Sequence, residues 1–315
     1  MATESGPAVA LAGVRRAFGD VLAVDDLTLE VPRGTVTVLL GPNGAGKTTV
    51  VRLVTGALHP HGGSVRTLGL DPEVAAEGTE VRRRCGVVPA RPALYDRLSG
   101  TDNLLYAAAL FQVEPRLVDA RVAEAAERFG ITDALDHKVG GYSTGMRARL
   151  ALARAVLHEP DLLLLDEPTA GLDPESARTV LGLIDEMAEG GKTVLMCTHL
   201  LLEAEGLADQ VVVMDHGHAI VSGSPRELTR QYWPAARVIL DADDPSLLDQ
   251  ARGLPFVRAY ERNGVALVDL EHETDVPDLV DALVGAGARL TRVEPQAPSL
   301  EELYFAIRKE NREPS

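Results

Sequence analysis

The eight residues from Gly41 to Thr48, Gly-Pro-Asn-Gly-Ala-Gly-Lys-Thr, constrain this chain more than any other segment. They fit the spacing G-x-x-x-x-G-K-[ST] and follow Thr35 to Leu40, a continuous apolar run of the kind buried on both faces of a sheet. From Thr48 to Leu58 the apolar residues take helical spacing. Strand, glycine-rich loop and helix in that order turn backbone N–H groups inward at a helix N-terminus, which makes a cradle for an anion. Lys47 then reaches the β- and γ-phosphates of a nucleotide, and the Thr48 hydroxyl holds Mg²⁺.

Such a site needs a carboxylate-bearing strand beside it. Leu162 to Leu165 supplies the strand, with Asp166 at its C-terminal end to hold Mg²⁺ through water. Glu167 follows, placed to polarise the attacking water. Around these two strands the pattern alternates: a helix from Gly145 to Leu157, a helix from Pro174 to Ala188, strand Thr193 to Cys197, a helix to about Ala208, strand Gln210 to Met214. Alternation of this kind predicts an α/β fold with a parallel sheet core. Two segments, "VALAGVRRAFG" and "LAVDDLTLEV" within residues 9–31, predict an antiparallel region before it. Residues 91–145 read as a helical insertion. The nucleotide-binding part is bounded at 1–230, and residues 236–315 read as a small C-terminal α+β domain.

Composition narrows the partners. Of 315 residues 45% are hydrophobic and 25% charged, which is globular. The 31 basic and 47 acidic residues give a net charge of −16, which argues against neutralising a phosphate backbone and so against a nucleic-acid partner. The C-terminal region repeats the bias, with 9 basic against 16 acidic residues from Ala236 onward. No apolar run approaches the roughly 18 residues needed to cross a bilayer, and the first thirty residues carry no leader pattern. The expectation is a cytoplasmic chain. Cys85 and Cys197 sit in strand-like apolar runs and read as reduced core thiols.

Between the two phosphate-site strands lies "Tyr142-Ser-Thr-Gly-Met-Arg-Ala-Arg-Leu-Ala-Leu-Ala-Arg-Ala". Ser143 begins a helix whose first N–H groups form a second anion site. A helix of about 13 residues spans some 20 Å, so this site stands far from the chain's own phosphate loop.

This combination resembles the nucleotide-binding subunit of ATP-binding-cassette transporters over about residues 8 to 230. The resemblance implies a P-loop NTPase with an antiparallel β-subdomain and a helical insertion, binding ATP with Mg²⁺. It implies ATP contacts from Gly41, Pro42, Asn43, Gly44, Ala45, Gly46, Lys47, Thr48 and Thr49. Phe18 stands where the family stacks an aromatic ring on adenine. Ser143-Thr-Gly145 occupies the signature motif, whose serine and second glycine meet the γ-phosphate on a partner subunit; Tyr142, Thr144 and Met146 depart from its consensus. Gly171-Leu-Asp173 matches the loop whose aspartate links the two sites, and His199 matches the switch histidine that meets the γ-phosphate. Lys47, Glu167 and His199 are the implied catalytic set, and Thr48 and Asp166 the implied metal ligands.

Two copies would then sandwich ATP head to tail and work on a separate integral-membrane permease, from the cytoplasmic face of the membrane. The tyrosine-first signature and the C-terminal region look like the branch that exports drugs, antibiotics or other hydrophobic compounds. One position departs: Ala90 stands where the family has a glutamine that touches Mg²⁺ and the attacking water. Two other readings stay open, a soluble cassette switch uncoupled from transport and a subunit whose hydrolysis is attenuated by Ala90.

Overall fold

The computed structural model describes residues 6–200, 205–232, 236–296 and 299–310. Contacts divide the chain into two units, Met1–Ser224 and Pro225–Ser315.

In the first unit, β1 (Val9–Phe18) and β2 (Val21–Val31) form a hairpin that pairs with β4 (Gly62–Thr67) in an antiparallel sheet ordered β2-β1-β4. A six-stranded sheet holds β3 (Val36–Leu40), β5 (Cys85–Val88), β6 (Leu162–Asp166), β7 (Thr193–Thr198), β8 (Gln210–Asp215) and β9 (His218–Gly223) in the order β5-β6-β7-β3-β8-β9. The first five strands run parallel. All residues of β3, β6 and β7 are buried, as strands covered on both faces require. Leu39, Leu164, Leu195 and Val212, from four of these strands, join one core with no exposed surface. Each such side chain contributes roughly 1.5–3 kcal/mol by leaving water.

Helices α1 (Lys47–Val54), α2 (Ala75–Arg84), α5 (Thr144–Val156) and α6 (Pro174–Glu189) connect these strands, and α3 (Gly100–Leu110) and α4 (Pro115–Arg128) make up the insertion. The sequence predicted α1 out to Leu58, but it stops at Val54. Gly56 takes φ +68°, and a Cβ there would meet Pro72 O at 2.6 Å, so the chain turns off the helix at a position closed to other residues. β9 is an antiparallel edge strand that the alternating pattern did not announce. The expected helix running to Ala208 falls partly on residues 201–204, outside the described residues.

The second unit has β10 (Ala236–Ala242), β11 (Val257–Asn263), β12 (Val265–Leu270) and β13 (Leu290–Gln296) in an antiparallel sheet ordered β11-β12-β10-β13. A 3₁₀ stretch, Pro245–Gly253, joins the first two strands, and the helix Val276–Gly285 joins the last two. That order is the split β-α-β-β-α-β arrangement of ferredoxin-like modules. Val238, Leu240, Ala266, Val268 and Leu270 alternate inward to meet Leu248, Leu279 and Leu283.

Candidate active site

The carboxyl ends of β3, β6 and β7 lie side by side, because Leu40 pairs with Thr198 and Asp166 with Cys197. Residues far apart in the chain are thereby set around one point. The loop after β3 wedges under β2, where a Cβ on Gly46 would meet Ala23 O at 2.4 Å. Gly46 also has φ +104°, so only glycine fits this entry to α1. Lys47, the first residue of α1, is 5% exposed and donates from Nζ to Gly41 O at 2.6 Å. Its Nζ is also 3.5 Å from Glu167 Oε1.

Glu167 follows directly on β6 with φ +53°, a left-handed conformation uncommon outside glycine and asparagine. Its N–H donates to Cys197 O at 2.8 Å, which pins that turn against β7. The other carboxylate oxygen, Oε2, is 2.7 Å from His199 Nδ1. A carboxylate only accepts, so Nδ1 carries a proton in this pair. Lys47, Glu167 and His199 thus form one connected string.

Thr48 Oγ1 donates to Asp166 Oδ2 at 2.8 Å. Asp166 is 2% exposed, and its second oxygen, Oδ1, is buried without a hydrogen-bond partner among the described residues. Burial pushes the Asp166 carboxyl up from its ordinary value, with the Thr48 hydrogen bond pulling the other way. A hard cation is the natural complement to a buried carboxylate with an orphaned oxygen beside a hydroxyl, so the donor set fits Mg²⁺. Cys197, next to this pair, is fully buried and its thiol is held neutral by burial; Cys85 is pushed up to about 12 for the same reason. Both are free thiols.

Ser143, Gly145 and Asp173 gather elsewhere in this unit, at the adjoining N-termini of α5 and α6. Ser143 caps α5 by accepting from Met146 N at 3.2 Å, and Asp173 caps α6 by accepting from Ser176 N at 2.9 Å. A Cβ on Gly145 would lie 2.8 Å from Ser176 Oγ, which itself donates to Asp173 at 2.7 Å. Phe18 sits at the tip of the β1–β2 hairpin, 42% exposed. Ala90 lines a cavity of about 840 Å³ together with Thr48, Asp166, Arg91, Leu110 and Phe111. The position therefore opens on the same cavity as Thr48 and Asp166. Sequence reasoning passed over Arg16, whose guanidinium lies over Phe18. Its place two residues before Phe18, on the same strand face, was the available signal.

A parallel sheet with this loop, this carboxylate pair and this histidine defines a P-loop nucleoside triphosphatase. The family model described as ABC transporter matches residues 24–170. The daunorubicin/doxorubicin resistance ATP-binding protein DrrA of Streptomyces peucetius is 41% identical over 72% of this chain and 68% of its own length. The Nod factor export ATP-binding protein I of Bradyrhizobium diazoefficiens is 34% identical over 96% of this chain and 97% of its own. Among solved structures, cbiO1 from Clostridium perfringens, part of the ABC transporter complex cbiONQ, matches with a TM-score of 0.66 at 28% identity. That match covers 72% of this chain and 92% of cbiO1. The chain belongs to the ATP-binding proteins of ABC transporters, and it is an ATPase coupled to transport.

Proposed function

We propose that the chain is the motor of an exporter whose membrane-crossing path is a separate polypeptide, and that it works as a head-to-tail homodimer on the cytoplasmic face. The observation that carries the hydrolytic part is the Glu167 carboxylate held between Lys47 Nζ at 3.5 Å and His199 Nδ1 at 2.7 Å. Export of a drug, antibiotic or other hydrophobic compound is supported by the resistance and export names of the relatives. Among the described residues no helix is long and apolar enough to cross a membrane, which supports a separate permease. Its contact surface is taken to be residues 91–110, where Tyr95, Leu98, Leu105, Tyr106 and Leu110 are exposed. The net charge of −16 supports a protein rather than a nucleic-acid partner. Residues 1–230 carry the ATP chemistry in this reading, and 236–315 form an appendage.

Binding begins with Lys47. It leaves Gly41 O and Glu167 to meet the β- and γ-phosphate oxygens, while backbone N–H groups from Asn43 to Thr49 wrap the phosphates and Phe18 receives the adenine. Mg²⁺, held by Thr48 and Asp166, would neutralise charge on those oxygens. Release of Lys47 frees Glu167, which accepts a proton from the attacking water. His199 is oriented by Glu167 through Nδ1 and meets the γ-phosphate as a donor, with Nε2 protonated as well, because phosphate oxygens only accept. Ser143 and Gly145 stand in a different cluster from Lys47 and meet the γ-phosphate bound to the second copy, with Asp173 beside them at the interface.

Glu167→Gln removes the base but keeps the hydrogen-bonding shape, so ATP should hold that variant closed. Light scattering with saturating Mg-ATP is expected to give a stable dimer. Monomer alone would sink the sandwich mechanism. The cavity beside Ala90 favours a second reading, in which the chain hydrolyses slowly because nothing there orients the water. Ala90→Gln is then expected to raise turnover by up to about 10²-fold. An unchanged rate means that water fills the gap at little cost.

A further inference from the structure

Arg16 and Phe18 lie on the same face of β1, and the Arg16 guanidinium carbon is 4.9 Å from the Phe18 ring centroid. That is inside the roughly 6 Å within which an aromatic face holds a cation. The guanidinium is also clamped from the side. Nη1 donates to His59 O at 2.8 Å and lies 3.0 Å from His61 Nε2. Both ring nitrogens of His61 face donors, because Ala17 N–H also points at Nδ1 at 3.4 Å, and only the nitrogen without the ring proton accepts. His61 N donates in turn to Arg15 O at 2.7 Å, which ties the clamp back to the strand.

Ordinary reasons for an arginine do not account for this one. It pairs with no carboxylate among the described residues, in a chain with 47 acidic side chains. The neighbouring Arg15 does find one, meeting Asp25 at 3.1 Å. Nη1 is satisfied, but Nε is buried with no hydrogen-bond partner among the described residues, so polar contacts account for only part of its placement. What the clamp achieves is a cation fixed against one face of a ring that remains 42% exposed. A cation on one face draws π-density toward itself and leaves the opposite face less electron-rich. An electron-rich purine stacks better on such a face, and a ring already held in place loses less freedom on binding.

We propose that Arg16 is a positioning residue for the nucleotide base, holding and polarising Phe18 from behind so that the free face of the ring stacks on adenine. This rests on the reading of Phe18 as the adenine platform. The test compares two ligands on the full chain by calorimetry: AMP-PNP, which carries the base, and tripolyphosphate, which lacks it. Arg16→Met is expected to weaken AMP-PNP about three- to tenfold and leave tripolyphosphate unchanged, with Arg16→Lys recovering most of the loss. Added to Phe18→Ala, Arg16→Met should have no further effect. Equal losses on both ligands, or a full additional loss in the Phe18→Ala background, would overturn the proposal. So would an unchanged AMP-PNP affinity in Arg16→Met while Phe18→Ala weakens it, and in that case the platform reading survives. If Phe18→Ala itself leaves the ratio of the two affinities unchanged, the platform reading fails and the role of Arg16 falls with it.

Discussion

At the scale of single residues, the site holds groups in arrangements that cost free energy and that a bound cation and nucleotide would relieve. Asp166 is the clearest case. Its carboxylate is buried, its Oδ1 lacks a partner among the described residues, and burial raises its pKa above the ordinary value. A carboxyl raised in the folded state favours folding while it is protonated, and that advantage is lost as pH rises through the folded pKa. Asp166→Asn removes the ionisation. The variant is therefore expected to melt a few degrees higher than the native chain at pH 7–8 without nucleotide. The gap should shrink as pH falls toward the carboxylate range, where the native side chain is protonated as well. Thermal unfolding across pH checks this, and a lower melting temperature for the variant at pH 8 would contradict it. Glu167 is strained in a different way, through its φ of +53°, at a cost of roughly 1–3 kcal/mol. The Cys197 carbonyl and the two cationic or protonated neighbours of its carboxylate hold it there.

At the scale of elements, what the sequence made legible were segments whose own residues dictate their form. Val36–Leu40 and Leu162–Asp166 are apolar at every position or nearly so, and the glycines at 41, 44 and 46 announce the loop between β3 and α1. Elements that went unread share a physical reason. Residues Ala75–Arg84 bury only Gly78 and Val81, so α2 has no apolar stripe for periodicity to find. His218–Gly223 has no fully buried residue and gains its form from pairing with β8. Leu290–Gln296 is exposed along most of its length, with Pro295 near its end, and is a strand because β10 offers it a ladder. The same holds for the site. Lys47, Asp166 and Glu167 were visible from their own motifs and His199 only through the resemblance, but their meeting follows from the strand order β6-β7-β3, which the chain order does not contain. Arg16 escaped notice because its role depends on the loop carrying His59 and His61, more than forty residues away in sequence.

At the scale of the whole molecule, two units with separate cores divide the labour. The first carries every residue assigned to ATP chemistry, from Phe18 to His199, and the second adds an independent antiparallel sheet of its own. A net charge of −16 does not stop a phosphate loop from binding a polyanion, because such a cradle acts locally through backbone N–H groups and one buried lysine. The central claim is that this local machinery hydrolyses ATP with Glu167 as its base. The most direct measurement is steady-state Mg-ATP hydrolysis by the purified full-length chain beside Glu167→Gln, with nucleotide binding measured on both. The account predicts turnover by the native chain, a fall of about 10²-fold or more in the variant, and ATP binding retained in each. Equal turnover by both would contradict it, since the proton would then be leaving the water by a route that does not involve Glu167.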